Sequence, residues 1–325
     1  MSDTPPSQFR SGLIYGLVAY TCWGAVPLYF AEVKGVPAAE ILSHRIAWSF
    51  PLMLLVTALT PGGVAALRAV LRSRKLILLL LVSALFLAGN WLLYIYATVN
   101  GRVAEASVGY YALPLVNAFL ATVFLGERLR PLHYPALALI VIGVMIPLTG
   151  AGSFPWLAVV LPVTFGIYGL LRKQMPVDSV TGLTMETLLL LAPSVGFILY
   201  MEVVGTGAFG RDWNMNALLA FGGVITVVPL LTFMMSLRRL PLLTQALIQF
   251  ISPSVQFLLA VTVLKEQMGP EQWAAIGCVW GSVGVFIADA VVRSRTALRA
   301  RRELLRQREL ELVGAVRTGG MTVGS

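Results

Sequence analysis

S-V-G-Y-Y-A-L-P-L-V-N-A-F-L-A-T-V-F-L-G-E-R-L-R-P, residues 107–131, is an apolar run of membrane-spanning length with a proline near its middle. Ser107, Tyr110, Pro114 and Asn117 recur at helical spacing, so a helix carries all four on one side. The pattern returns 139 residues later in T-Q-A-L-I-Q-F-I-S-P-S-V-Q-F-L-L-A-V-T-V-L-K-E-Q-M-G-P, residues 244–270. There Pro253 takes the place of Pro114, Gln256 that of Asn117 and Glu266 that of Glu127. Gln245, Gln249, Ser252 and Gln256 again share one helical face. The chain reads as two copies of one unit.

Composition names the medium. Of 325 residues, 58% are hydrophobic and 12% charged, with a mean hydropathy of +0.82. That is too little charge to cover a soluble surface, and repeated runs of about 20 apolar residues predict transmembrane helices. Cys22 and Cys278 both lie inside such runs, which leaves no disulfide framework. Two histidines without a Cys/His cluster argue against a metal site. No G-x-x-x-x-G-K-[ST] loop, G-x-S-x-G elbow or H-E-x-x-H pair occurs. The expectation is a protein with no catalytic residue and no cofactor. The first apolar run lacks a small-residue cleavage site and reads as a retained helix.

Ten spans are expected, near 11–31, 41–60, 76–97, 104–125, 132–149, 154–171, 180–204, 215–237, 242–264 and 272–291. Nineteen Lys and Arg fall in loops and tail on the side of the N-terminus, against four on the other. The net charge of +9 thus follows membrane topology, both termini are expected in the cytoplasm, and nucleic acid is not an expected partner. The expected fold is an all-α polytopic membrane protein, an inverted repeat of five plus five helices. Its parts are residues 1–150, residues 151–292 and a basic tail, 293–325. Five is odd, so the second copy enters the bilayer upside down, a build in which solute sites lie near the midplane. Residues 61–75 are expected to form a short helix on the membrane surface, with Val64, Leu67 and Leu71 on one face.

Polar and aromatic groups inside the spans are the candidate solute-binding residues. Pro114 and Pro253 should each free a carbonyl at mid-span, with Asn117 and Gln256 one turn on and Gln249 on the same face as Gln256. His44 and Arg45 lie about one turn inside the second span, and Glu186 is the repeat mate of His44. These ionisable groups are read as binding charged parts of a solute or carrying a coupling proton; a structural ion pair or a snorkelled charge is the alternative. Asn90, Trp91 and Tyr94, with Trp23, Tyr110 and Tyr111, form an aromatic wall for a flat ligand, or else a packing cluster.

L-S-H-R-I-A-W-S-F (42–50), G-N-W-L-L-Y-I-Y-A (89–97), E-A-S-V-G-Y (105–110), P-L-V-N (114–117), F-L-G-E-R-L (124–129) and Q-F-I-S-P-S-V-Q-F-L-L-A-V (249–261) resemble the EamA branch of the drug/metabolite transporter superfamily. The resemblance covers about residues 10–292. It implies ten helices, an inner-membrane location and secondary export of small metabolites or drugs, and it carries over no site residue. The second-half turn, L-K-E-Q-M, keeps the glutamate and loses the glycine. The expected partners are therefore a small organic solute and the lipid bilayer, with monomer and homodimer both open. The contrasting reading is a non-transporting membrane protein that docks partners through its basic tail.

Overall fold

The computed structural model describes residues 6–125, 131, 133–146, 156–237, 239–240, 248–271, 273–278, 280–285, 287–289, 291–292 and 303. Among these residues every regular element is a helix. They are α1 (Pro6–Glu32), α2 (Ala38–Leu59), α3 (Gly63–Leu71), α4 (Arg74–Val99), α5 (Val103–Leu125) and α6 (His133–Met145). After these come α7 (Trp156–Gln174), α8 (Ser179–Val203), α9 (Trp213–Leu237), α10 (Ile251–Thr262) and α11 (Trp273–Asp289). Five of them, α1, α2, α4, α8 and α9, are long and apolar enough to cross a membrane. Helices α5, α6, α7, α10 and α11 overlap the other expected spans.

Local chemistry explains several boundaries. Ser73 Oγ accepts from Leu76 N at 3.4 Å and Asp178 Oδ1 from Thr181 N at 3.0 Å, capping α4 and α8. Between α4 and α5 the chain reverses through Asn100-Gly101, where Gly101 takes a φ of +68°. The surface helix expected over 61–75 is α3, but its inward face differs. Val70 is buried and Leu67 packs beside it, whereas Val64 and Leu71 are exposed. Contact with α8, α2 and α4 turns the i, i+3 pair Leu67/Val70 toward protein and leaves the other apolar edge outward.

The two expected mid-span breaks differ. Helix α5 runs through Pro114 without interruption. At the second proline, Gln249 and Phe250 form a turn and α10 starts at Ile251. Pro253 thus sits in a first turn, where its missing N–H costs no helical bond. Gln245, residues 126–129 of the F-L-G-E-R-L turn, and the tail apart from Glu303 lie outside the described residues.

The most extensive contacts join elements before residue 150 to elements after it. Helix α2 lies against α8 and α9, α1 against α9 and α10, α5 against α7 and α10, and α4 against α7 and α8. Small residues permit the close crossings. A Cβ on Gly24 would stand 2.6 Å from Val255 Cβ, and one on Gly223 2.7 Å from the Trp48 carbonyl carbon. At the end of the bundle away from the N-terminus, three carboxylates hold backbone amides of other elements. Glu266 accepts from Val103 N and Ala104 N at 2.7 and 2.9 Å, satisfying donors that the start of α5 leaves free. Burial pushes the Glu266 carboxyl above its ordinary range while these two amides pull it down. Glu105 accepts from Leu157 N at 3.1 Å, and Glu40 from Ala208 N at 2.6 Å.

Candidate solute-binding site

Arg45 lies seven residues into α2, about 10 Å along the helix at about 1.5 Å per residue. It is 6% exposed. Four other helices surround it. From α9, Thr226 Oγ1 accepts from Arg45 Nε at 2.9 Å. The Trp91 ring of α4 and the Phe30 ring of α1 lie 4.9 and 5.5 Å from the guanidinium carbon. The hydroxyls of Tyr29, Tyr94 and Tyr110 are near enough to interact with its charge. Gly222 makes this room, since a Cβ there would come within 2.8 Å of Tyr29 Oη and 3.0 Å of Arg45 Cγ.

Charge balance is the notable property of the site. Among the described residues, two ion pairs occur, Arg102–Glu105 and Arg172–Glu186, and neither includes Arg45. Its only hydrogen bond to a described residue is the one to Thr226, so its terminal nitrogens have no described acceptor. The Tyr94 hydroxyl is likewise buried and makes no hydrogen bond of ordinary geometry among the described residues, with the Thr98 side chain close enough to act on it. An arginine inside a bilayer costs about 2.5–3.5 kcal/mol on insertion scales. A ring contact returns about 0.5–2 kcal/mol, so two rings offset much of that charge without neutralising it. Beside Arg45, His44 is 2% exposed and stacks on Phe209 of the α8–α9 connection at 5.0 Å and 28°. Neither ring nitrogen of His44 has a hydrogen-bond partner among the described residues. Trp48 also meets Phe209, at 6.4 Å, so this aromatic pair covers the site on the side away from the N-terminus.

The other predicted residues divide into those near Arg45 and those elsewhere. Tyr110 donates to Asn90 Oδ1 at 3.0 Å, and Asn90 Nδ2 donates to Leu161 O at 2.8 Å and Thr164 Oγ1 at 3.0 Å. Asn90 thereby fastens α4 and α5 to α7 and has no donor left for a solute. Tyr111 faces α10 and α11, bonded to Ser254 at 2.7 Å and accepting from Trp280 Nε1 at 3.0 Å. Gln256 donates to Trp23 O at 3.1 Å and Ser252 Oγ at 3.2 Å, while its Oε1 is buried with no hydrogen-bond partner among the described residues. The Trp23 ring packs on Tyr20 and Phe233. Gln249 is half-buried in the turn before α10, and Asn117 is exposed beside Gly166.

Glu186 belongs to a different cluster from its repeat mate. It is 1% exposed, accepts from Ser83 Oγ at 2.6 Å and Tyr168 Oη at 3.3 Å, and pairs with Arg172 Nε at 3.6 Å. A cavity of about 660 Å³ opens at the N-terminal end of the bundle between α1, α8 and α9, lined by Ser7, Ser11, Ser179, Met234 and Arg239 among others. Between that cavity and Arg45 lie Trp23, Met53, Leu87, Val227 and Leu230. Sequence reasoning missed Tyr29, Phe30, Thr226, Ser83, Tyr168 and the inward reach of Arg172. The Gly222-Gly223 pair was the one available signal, since paired small residues in a span mark a close helix crossing.

The sequence profile of the EamA-like transporter family matches residues 10–149. An uncharacterized transporter of Vibrio cholerae is 40% identical over 93% of this chain and 100% of its own length. Protein RarD of Escherichia coli is 37% identical over 89% of this chain and 97% of its own. A protein of Pseudomonas aeruginosa named chloramphenicol-sensitive protein RarD is 29% identical over 84% of this chain and 92% of that one. A solved crystal structure superposes with a TM-score of 0.58 at 18% identity, covering 86% of this chain and 98% of that chain, a likeness of fold alone. Near-full-length identity to these relatives, on a bundle of apolar helices, makes this multi-pass membrane protein a member of the EamA family of transporters, among its RarD homologues.

Proposed function

We propose that the protein is a secondary transporter that exports a small organic solute across the bacterial cytoplasmic membrane by alternating access. Residues 1–150 and 151–292 are the two inverted five-helix repeats, and the solute binds between them at Arg45. The reading is carried by a pair of close contacts. Gly24 on α1 meets Val255 on α10, and Gly166 on α7 meets Val116 on α5, where a Cβ would stand 2.9 Å from Val116 Cγ1. In the sequence alignment of the halves Gly24 matches Gly166 and Val116 matches Val255, so the second contact is the first one exchanged between repeats. Helix contacts follow the same exchange: α1–α9 has its counterpart in α7–α4, and α2–α8 is its own. Such pairing supports a two-fold relation between the halves, with His44 and Glu186 entering from opposite faces.

Positive charge concentrated near the N-terminus supports a cytoplasmic position for that end. The 660 Å³ cavity then opens to the cytoplasm, and the Phe209 side closes the outer end. The Glu186–Arg172 pair links α8 to α7 at the inner end and is the candidate for proton coupling. The test is flux of a metabolite and drug panel into proteoliposomes, with and without an imposed pH gradient. Protein-dependent flux of a panel member is expected, with the gradient response abolished in Glu186→Gln. A gradient response that survives this substitution removes the proton role, and termini mapped to opposite sides contradict the inverted repeat.

A further inference from the structure

Arg45 is a buried cation with donors to spare and no acid beside it. The Trp91 and Phe30 rings lie against its guanidinium, 4.9 and 5.5 Å from the carbon, and Nε is spent on Thr226. That leaves the planar edge with the two terminal nitrogens, the geometry that receives a carboxylate or phosphate through two parallel bonds. The Tyr94 hydroxyl, on the same helix as Trp91, is buried and makes no hydrogen bond of ordinary geometry among the described residues. The surrounding wall is aromatic: Tyr94 meets Phe30 at 6.0 Å and Tyr110 at 5.6 Å. The nearest buried carboxylate on α2, Glu40, is turned to Ala208 N in the α8–α9 connection. Nothing described at the site would attract a cation, whereas an anion completes it.

We infer that the solute of this transporter is an organic anion, an aromatic or otherwise flat apolar body with one carboxylate or phosphate-type group that Arg45 receives. This rests on the transport reading for its consequence, and on Arg45's surroundings alone for its chemistry. Helices α1, α2, α4, α5 and α9 wall the site, which separates it from bilayer lipid headgroups.

The test is binding of benzoate and phenyl phosphate (anions), benzamide (neutral) and benzylamine (cation) to the purified full-length chain, read by titration calorimetry and thermal unfolding. At least one anion should bind more than about tenfold tighter than both other probes, the size of one charge-assisted hydrogen bond. Arg45→Gln should remove that preference, with benzamide binding within about twofold of the parent, and Arg45→Lys should restore part of it. Arg45→Gln should also unfold at the same or a higher temperature without ligand, because it removes an uncompensated charge; a scaffold arginine would give a lower one. Equal binding of anion and amide, no binding of either anion, or an anion preference that survives Arg45→Gln overturns the inference. Arg45-dependent anion binding without flux in proteoliposomes would instead remove the transport reading and leave the site chemistry standing.

Discussion

Two arginines enter the bundle from its opposite ends, and they are treated differently. Arg172 on α7 has a carboxylate at 3.6 Å, and that carboxylate has Ser83 and Tyr168 as further partners. Arg45 on α2 has a threonine, two ring faces and no described acid. The first cluster answers its charge with a carboxylate of the fold, although Arg172 Nη1 is buried with no hydrogen-bond partner among the described residues. The second leaves a charge for something else to answer. In the transport we propose, that unneutralised charge is where the solute binds.

Breaking the Glu186–Arg172 pair should have the largest effect. Glu186→Leu leaves Arg172 uncompensated and should lower stability by about 3 kcal/mol, seen as an early thermal transition. Adding Arg172→Leu should restore most of the loss, because a matched apolar pair avoids the charge penalty. If the single substitution costs nothing, the two arginines do not differ in the way described. Next come the mirrored glycines. Gly24→Ala and Gly166→Ala each force a methyl into a contact of 2.6 or 2.9 Å and should cost about 1–3 kcal/mol apiece. Losses of similar size sharpen the exchange of contacts between the halves; a large loss at one and none at the other breaks it. Asn90→Ala should cost about 1–3 kcal/mol by stranding Tyr110 Oη and Leu161 O, measured the same way. The smallest effect belongs to removal of residues 296–325, which should leave flux near the parent value. Loss of all activity there would favour a docking protein.

How much of this could be read from the residues alone varied with the kind of information needed. Five span positions were legible because apolar length is a local property, and shorter apolar helices overlap the other expected segments. Arg45, Trp91, Tyr94 and Tyr110 were also legible, since polar and aromatic groups in apolar runs stand out. Tyr29, Phe30 and Thr226 were not. Their role depends on which helices meet, and a threonine or phenylalanine in a span has many uses. Arg172 looked like a loop charge that fixes topology, yet its long side chain reaches back to Glu186. The prolines show the limit of local rules from the other side. The same residue type at matched positions lies within an unbroken helix at Pro114 and in a first turn at Pro253. Neighbouring helices decide which, and their identity is not a property of either segment.

In the transport cycle we propose, two repeats alternate access to one site between them, closed at one end when open at the other. That cycle is tested most directly by single cysteines at Ser11, in the cavity at the N-terminal end, and at Phe209, over the opposite end, with Cys22 and Cys278 replaced. Thiol labelling in membranes, with and without a transported solute, reports both ends. The account predicts opposite changes, one position gaining reactivity as the other loses it. Reactivity that rises or falls together at both positions contradicts it.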